Sequence, residues 1–247
     1  VGALAASEIG VHDVRATDRV CAADRKIAGC SEDSPLRAFR QCLPDRTQDS
    51  VHDARRNFAV GFASPRELGP DEDARPDDDL ESAARRVRAH GGKAITIGAD
   101  VADSNAVRDA FERAETELGP IDAVHNNAGI SIVSPLADTT DDVFRRLVDI
   151  NLAGSFFVLR EAARVMQSRR AGAIVNTASE LALIGQAGYV AYTATTGAIL
   201  AMTRSAAAEL ASWGIRVNAV CPGTTKTPMF LAEFDGAADP AAELADN

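Results

Sequence analysis

The chain has 247 residues, of which 46% are hydrophobic and 25% are charged. This composition is that of an ordinary globular protein, and it excludes intrinsically disordered, collagen-like and coiled-coil proteins. The formal net charge of −10 argues against a nucleic-acid or anionic-membrane partner, and the sequence has no apolar run long enough for a membrane-spanning helix.

Residues 1–76 do not follow a regular pattern of secondary structure. Charged residues interrupt nearly every apolar run, and the clearest helix prediction is the stretch 54–64 (ARRNFAVGFAS). Short helices joined by loops and a disordered segment are both compatible with this pattern. We therefore expect an atypical N-terminal segment over 1–76 and a folded core over 77–247.

From residue 77 onward, amphipathic helices alternate with short β-rich runs. The pattern predicts helices over 77–90, 104–118, 141–169 and 189–212, the third as one long helix or as a broken pair. It predicts strands over 93–100, 121–125, 173–178 and 215–221. Strands that alternate with helices form a parallel sheet covered on both faces, so we predict an α/β fold of the doubly wound class.

Small and polar residues follow each of the predicted strands. In a doubly wound sheet, ligands bind beyond the carboxyl ends of the strands, which here are followed by residues 100–101, 126–129, 177–179 and 222–224. Asn151 lies inside a predicted helix although asparagine is a mediocre helix former. Tyr192 lies at the start of the helix that follows Ser179. These positions form the candidate site.

Taken together, these residues resemble the motifs of the short-chain dehydrogenase/reductase family. The matching stretch is roughly 77–230, with AD-V at 99–101, NNAG at 126–129, Asn151, IVNTAS at 174–179, Tyr192 and IRVNAVCPG at 215–223. Each motif alone is weak evidence, but all of them occur in order and at the family's spacing. The resemblance implies a single-domain, Rossmann-like oxidoreductase that transfers a hydride between a nicotinamide cofactor and a small alcohol or ketone.

The resemblance implies a catalytic role for three residues. Tyr192 would be the general acid or base that exchanges a proton with the substrate oxygen. Ser179 would hold that oxygen by a hydrogen bond, and Asn151 would anchor a water molecule in a proton relay. Taken singly, the serine is more typical of a helix cap, and Asn126 is explained by a tie between neighbouring strands. Tyr189 lies too close to Ser179 to fit the family's spacing.

The resemblance also implies where NAD or NADP would bind. Besides Tyr192, the cofactor-binding set comprises the residues at the strand ends: Asp100, Val101, Asn127, Ala128, Gly129, Pro222, Gly223 and Thr224. Asp100 would accept a hydrogen bond from the adenine amine, with Val101 packed near the ring. Residues 127–129 would line the adenosine ribose and 222–224 the nicotinamide. Asp73 lies roughly where an acidic residue would bind the ribose hydroxyls, which favours NAD over NADP.

Two features depart from the family pattern. The family pairs its tyrosine with a lysine four residues later, on the same helix face, where this chain has Thr196. A neutral hydroxyl does not lower the pKa of a tyrosine as a cation does, so we expect weak turnover near neutral pH. The glycine-rich turn that binds the pyrophosphate at a helix start is also absent, since Pro65 separates the distant Gly61 and Gly69.

The two ends of the chain give further expectations. Family members usually continue beyond the position of Gly223 with further helices and a last strand. We therefore expect the closing strand to be missing and the sheet edge beside 215–221 to be exposed. Family-like sequence begins abruptly near Asp77, and one hypothesis is that the preceding coding region is read in a wrong frame or from a wrong start.

The cysteines and histidines have no spacing typical of a metal site. Among Cys21, Cys30, Cys42 and Cys221 there is no C-x-x-C pair, and the four histidines show no H-E-x-x-H spacing. We therefore expect neither a metal site nor a disulfide framework, as in a reduced cytoplasmic protein.

The sequence leaves more than one function open. The leading hypothesis is an NAD- or NADP-dependent oxidoreductase with impaired activity, acting on a hydrophobic or ring-bearing alcohol or ketone because the segments expected around the substrate are mostly apolar. In the family, the long helices that correspond to 141–169 and 189–212 usually pair between subunits, which implies a homodimer or homotetramer. The alternatives are a catalytically inactive binding or scaffold protein that oligomerises through those helices, and a damaged gene product that does not fold stably by itself.

Overall fold

The computed structural model of this chain describes residues 11–12, 76–89, 91–225, 227, 229–230 and 233. The helix predicted over 54–64, the candidate Asp73 and the glycines at 61 and 69 lie outside these residues, as do three of the four cysteines. Cys221 is described, and it is buried.

Four strands form one sheet: β1 Val11–His12, β2 Ala123–Asn126, β3 Gly172–Thr177 and β4 Ile215–Val220. Their order across the sheet is β1-β4-β3-β2. The strands β2, β3 and β4 run parallel, with Asn126 beside Asn176 and Thr177 beside Val220. Their carboxyl ends therefore meet at one edge of the sheet, and the predicted α/β, Rossmann-like class is confirmed.

The described residues also contain five α-helices: α1 Pro76–Ala89, α2 Ser104–Leu118, α3 Asp141–Leu147, α4 Ser155–Gln167 and α5 Val190–Leu210. The start of α2 is fixed by Asp103, whose Oδ1 accepts a hydrogen bond from the Asn105 N–H at 2.8 Å. Gly119 ends the same helix at a φ of 92°, which favours glycine. Both signals are local, which is why the predicted bounds of α2 agree with the observed ones.

The long helix predicted over 141–169 is interrupted. A π-helix, Val148–Gly154, joins α3 to α4. At its last residue the backbone passes so close to Val101 that a β-carbon on Gly154 would lie 2.9 Å from a Val101 methyl carbon. Only glycine allows this approach, and the wider π-helical turn brings Asn151 into the interior.

The segment predicted as a strand over 93–100 is not part of the sheet. Ala94, Ile97 and Ala99 of this segment are nonetheless buried, and Ile97 and Ala99 pack against Ala110 and Ala114 of α2. A strand needs a hydrogen-bonded neighbour, and among the described residues no strand pairs with this segment. The β-rich run over 93–100 therefore reflects the burial of apolar side chains and not pairing within the sheet.

The strand β1 differs from the expected all-parallel arrangement. It pairs antiparallel with β4 through Val11 with Val220 and His12 with Ala219, within a segment where no strand is predicted. Two residues are too few to show an alternating pattern, so no periodicity could reveal this strand. The pairing covers the last two residues of the β4 edge that the sequence predicts to be exposed.

The main hydrophobic core lies between the sheet and the helices α2, α4 and α5. It includes Phe111, Met166, Ile174, Leu210 and Val217, all buried. Within the described residues, no helix is long and apolar enough to cross a membrane.

Candidate active site

A chain of buried amides holds the carboxyl ends of β2 and β3 in place. Asn126 Nδ2 donates to Asn176 Oδ1 at 3.0 Å and to the Ser155 carbonyl at 2.9 Å. Asn176 Nδ2 in turn donates to the Thr203 hydroxyl on α5 at 2.9 Å. Asn126 thus joins β2 to β3 and to the start of α4, which agrees with its interpretation as a tie between neighbouring strands. This network holds in place the strand ends that the residues of the candidate site follow.

Ser179 and Tyr192 come together at this edge of the sheet. Ser179 follows β3 and caps the short 3₁₀-helix Glu180–Ala182, where its Oγ accepts a hydrogen bond from the Leu181 N–H at 3.1 Å. Its side chain also lies close to the phenol of Tyr192, in the first turn of α5, and lowers the pKa of that phenol through a hydrogen-bonding interaction. The serine is therefore both a helix cap and a partner of the tyrosine.

The environment of Tyr192 favours the neutral phenol. Burial raises the pKa of Tyr192 above its ordinary value of 10.0, and the negative charge of Glu233 raises it further. The hydrogen bond with Ser179 acts in the opposite direction but does not offset these two effects. At neutral pH, Tyr192 is therefore a proton donor.

Thr196, one turn after Tyr192, offers no positive charge to the phenol. Its side chain is buried, and its hydroxyl donates back to the Tyr192 and Thr193 carbonyl oxygens of its own helix at 3.3 and 3.2 Å. A hydroxyl held in this way cannot perform the electrostatic role of an ammonium group.

Asn151 joins three parts of the site. Its Oδ1 accepts from the Ile130 N–H at 2.8 Å, and its Nδ2 donates to the Ile130 carbonyl at 2.9 Å and to the Thr195 hydroxyl at 3.2 Å. The Thr195 hydroxyl donates to the Tyr192 carbonyl at 2.7 Å. Both amide hydrogens are thus committed, and Oδ1 retains one acceptor position. The amide positions the loop after β2 against the first turn of α5.

The loop after β2 packs closely against the Asn151 amide. A β-carbon on Gly129 would lie 3.2 Å from Asn151 Oδ1, so the absence of a side chain allows the close approach. Asn127 and Ala128 are half-buried. Asp100 Oδ1 accepts a hydrogen bond from the Ala102 N–H at 3.0 Å, while the Val101 side chain is fully buried in a cluster with Ile130, Leu147 and Ile150.

The loop after β4 packs against the residues that follow Ser179. The Pro222 carbonyl accepts a hydrogen bond from the Glu180 N–H at 2.9 Å. A β-carbon on Gly223 would lie 3.1 Å from Glu180 Oε2, and the neighbouring Thr224 is exposed. The loops that the sequence assigns to the nicotinamide and to the catalytic serine are thus in contact.

Sequence reasoning did not identify Glu233 as a site residue. Its Oε2 accepts a hydrogen bond from the Tyr189 hydroxyl at 2.6 Å, and the rings of Tyr189 and Tyr192 lie edge to face with centroids 6.2 Å apart. The pattern around Glu233 gives no local signal, because its partner is distant along the chain. The one sequence signal is the presence of two tyrosines in neighbouring turns.

The chain is similar to dehydrogenases. A family model described as short chain dehydrogenase matches residues 74–237. The inactive 2-(S)-hydroxypropyl-CoM dehydrogenase 2 of Xanthobacter autotrophicus is 40% identical over 164 residues, which cover 66% of this chain and 70% of that protein. The cis-4-hydroxycyclohexanecarboxylate dehydrogenase of Sinomonas cyclohexanicum is 38% identical over 150 residues, 60% of each chain. The cyclopentanol dehydrogenase of Comamonas testosteroni is 37% identical over 147 residues, 60% of this chain and 59% of that protein. The chain thus spans less than two thirds of the last two relatives.

Solved structures of dehydrogenases are also similar to this chain. An NAD+-bound xylitol dehydrogenase has a TM-score of 0.65 at 32% identity, covering 74% of this chain and 70% of that one. A gluconate 5-dehydrogenase from Burkholderia cenocepacia, in complex with NADP and tartrate, has a TM-score of 0.61 at 33% identity, with coverage of 68% and 65%.

Proposed function

Because the chain belongs to the short-chain dehydrogenase family, we propose that it is a nicotinamide-dependent oxidoreductase that interconverts a small alcohol and its ketone. The observation that carries this proposal is the contact between the Ser179 side chain and the Tyr192 phenol at the carboxyl edge of a parallel sheet. Two hydrogen-bonding groups that converge in this way can hold one substrate oxygen and move a proton at it.

The loops at the strand ends are where we propose that a dinucleotide binds. Gly129 and Gly223 lack side chains where their backbone closely approaches Asn151 and Glu180, so these loops pack tightly at the carboxyl edge of the sheet, where a doubly wound sheet binds its ligands. In the proposal, Asp100 and residues 127–129 hold the adenosine part, and Tyr192 with residues 222–224 holds the nicotinamide part. The bound cofactor supplies or accepts the hydride.

The protein's own residues handle the substrate oxygen and its proton. The Ser179 hydroxyl and the Tyr192 phenol orient the carbonyl, and the Tyr192 Oη donates its proton when the carbonyl is reduced. Asn151 holds the first turn of α5 through Thr195, and its free acceptor position is the place for a relay water. Because Thr196 carries no charge, oxidation of an alcohol at neutral pH is slow.

The substrate that we propose is an uncharged, hydrophobic ring alcohol or ketone. Large apolar side chains are exposed on the segments that precede α5, at its first residue and after β4: Val133, Leu183, Ile184, Val190 and Met229. Two of these segments are joined by a hydrogen bond from the Ser134 N–H to the Gly188 carbonyl at 2.9 Å. The names of two relatives, which act on cyclopentanol and on a hydroxycyclohexanecarboxylate, agree with a ring-bearing substrate. Of these two, the carboxylates of Glu180 and Glu233 favour the uncharged one.

Cofactor binding and turnover test the proposal. Titration with NADH and with NADPH, followed by nicotinamide fluorescence, should give saturable binding of both or of NADH preferentially. Cyclopentanone reduction should be measurable, and Ser179→Ala should slow it by about 100-fold without abolishing binding. The matched control is Ser168→Ala, an exposed serine after α4, which should leave the rate unchanged. A folded protein that binds neither cofactor would contradict the proposal.

A catalytically inactive scaffold protein is the second candidate function. Two observations favour it: Thr196 supplies no cation, and one relative is itself named inactive. In this case the protein would act as a homodimer or homotetramer joined through its long helices. A folded oligomer that does not bind NADH or NADPH would support this candidate. The cytoplasmic location stays a prediction in either case.

A further inference from the structure

Tyr189 and Glu233 form a hydrogen-bonded pair directly beside the catalytic phenol. Tyr189 immediately precedes α5 and donates to Glu233 Oε2 at 2.6 Å. Its ring meets the ring of Tyr192 at an interplanar angle of 65°. We propose that Glu233 and Tyr189 are positioning residues that keep the Tyr192 hydroxyl protonated, so that the site favours carbonyl reduction over alcohol oxidation at neutral pH.

This inference rests on the proposed oxidoreductase function. In reduction, the carbonyl carbon gains a hydride from the reduced nicotinamide cofactor, which is oxidised, and the carbonyl oxygen gains the Tyr192 proton. The resulting phenolate recovers a proton from water. Oxidation of the alcohol requires the reverse, so Tyr192 must first lose its proton. A group that disfavours the phenolate therefore slows oxidation more than reduction.

The charge of Glu233 acts in this direction. A negative group beside a phenol disfavours its ionisation, and Glu233 raises the pKa of Tyr192 in addition to the larger effect of burial. Burial raises the pKa of Tyr189 well above its ordinary value, and the hydrogen bond with Glu233 and the charge of that carboxylate raise it further. Tyr189 therefore stays protonated and continues to hold Glu233 through its hydroxyl.

Other charged groups do not counteract Glu233. The elements that pack against α5 carry the charged residues Asp141, Asp142, Arg145, Arg146, Asp149, Arg160, Glu161, Arg164, Glu180 and Arg216. Within the part of the chain that the structure describes, Glu233 alone shifts the pKa of Tyr192 through a full charge. Thr196, where a cation would act, presents only a hydroxyl that is bonded to its own helix.

The composition of the chain makes a direct measurement possible. Tyr189 and Tyr192 are its only two tyrosines, so labelling with tyrosine that carries ¹³C at Cζ gives two NMR signals, which the variants Tyr189→Phe and Tyr192→Phe assign. The variant Glu233→Gln, in which Tyr189 is retained, then shows what the carboxylate contributes to the titration of Tyr192. The matched control is Glu209→Gln, since Glu209 is exposed near the far end of α5.

The expected result is a lower titration midpoint for Tyr192 when Glu233 is replaced, and an unchanged midpoint when Glu209 is replaced. Circular dichroism of each variant confirms that the fold is retained. In enzyme assays, Glu233→Gln should increase alcohol oxidation at a fixed pH below the midpoint by roughly three- to tenfold, the scale of one screened charge. Ketone reduction should change less, and Glu209→Gln should change neither rate.

Equal Tyr192 midpoints in the Glu233 and Glu209 variants would overturn the inference, whether or not the protein is active. If the midpoint moves as expected but no variant turns over any alcohol or ketone, the positioning role stands and the proposed function fails. The titration therefore tests the positioning role, and the assay tests the proposed function.

Discussion

At the scale of single residues, position 196 determines how the catalytic tyrosine can work. A cation about 4 Å from a phenolate stabilises it by roughly 4 kcal/mol at an effective dielectric constant of about 20, which corresponds to about a thousandfold in the phenolate population. Thr196 supplies none of this, and burial together with Glu233 acts against the phenolate. If the protein has the proposed function, we therefore expect it to need alkaline conditions to oxidise an alcohol.

We expect Thr196→Lys to increase alcohol oxidation near neutral pH by about 100-fold. The new ammonium group would favour the Tyr192 phenolate, so the pKa of the phenol falls and the rate-against-pH profile of oxidation moves to lower pH. Steady-state rates measured across pH with saturating cofactor give the result.

The matched control for this substitution is Ala194→Lys, which adds the same charge at an exposed position of the same helix. It should leave the profile in place. A Thr196→Lys protein that folds and binds cofactor but oxidises no faster than the parent would show that charge at this position does not limit the reaction.

At the scale of secondary-structure elements, the π-helix Val148–Gly154 carries the side chain that links the loop after β2 to α5. It carries Asn151 inward, where one amide satisfies both backbone groups of Ile130 and holds the Thr195 hydroxyl. A buried amide with these partners is structural as well as functional. The proton-relay role implied for Asn151 therefore rests on a side chain that the fold also needs.

We expect Asn151→Ala to lower the free energy of unfolding by roughly 2 to 5 kcal/mol, because the buried Ile130 N–H and carbonyl lose their partner. Urea denaturation followed by circular dichroism measures the change. Asn105→Ala, at an exposed position of α2, should change the stability by less than about 0.5 kcal/mol. Equal stability of the two variants would mean that the loop after β2 is held by other contacts.

The elements that the sequence predicts well are those with local signals. α2 has its Asp103 cap and its Gly119 stop, and β3 and β4 are buried β-rich runs between turns. The π-helix has no such signal, since it depends on the contact of Asn151 with Ile130 and of Gly154 with Val101. In the candidate site, the spacing of Ser179 and Tyr192 along the chain predicts that they lie together. The contact of Glu233 with Tyr189 is found only in the folded structure.

At the scale of the whole molecule, the site and the outer face of α4 are separate surfaces. The carboxyl edge of the sheet carries Ser179 and Tyr192, whereas α4 exposes Phe156 to solvent. The Arg160 guanidinium lies 5.7 Å from the Phe156 ring centroid and 5.3 Å from that of Phe157. Exposed aromatic rings beside arginine are enriched at protein interfaces, which supports the predicted pairing of long helices between subunits.

We expect Phe156→Glu to convert a homodimer or homotetramer into a smaller species, because the new carboxylate would have to be buried without a partner in the interface. Light scattering at several protein concentrations measures the mass. Leu136→Glu places the same charge at another exposed apolar position, on the loop before α3, and should leave the mass unchanged. If Phe156→Glu has the same mass as the parent oligomer, α4 is not the contact between subunits. A monomeric parent would remove the prediction of helix pairing altogether, while the site formed by Ser179 and Tyr192 lies within one chain and would be unaffected.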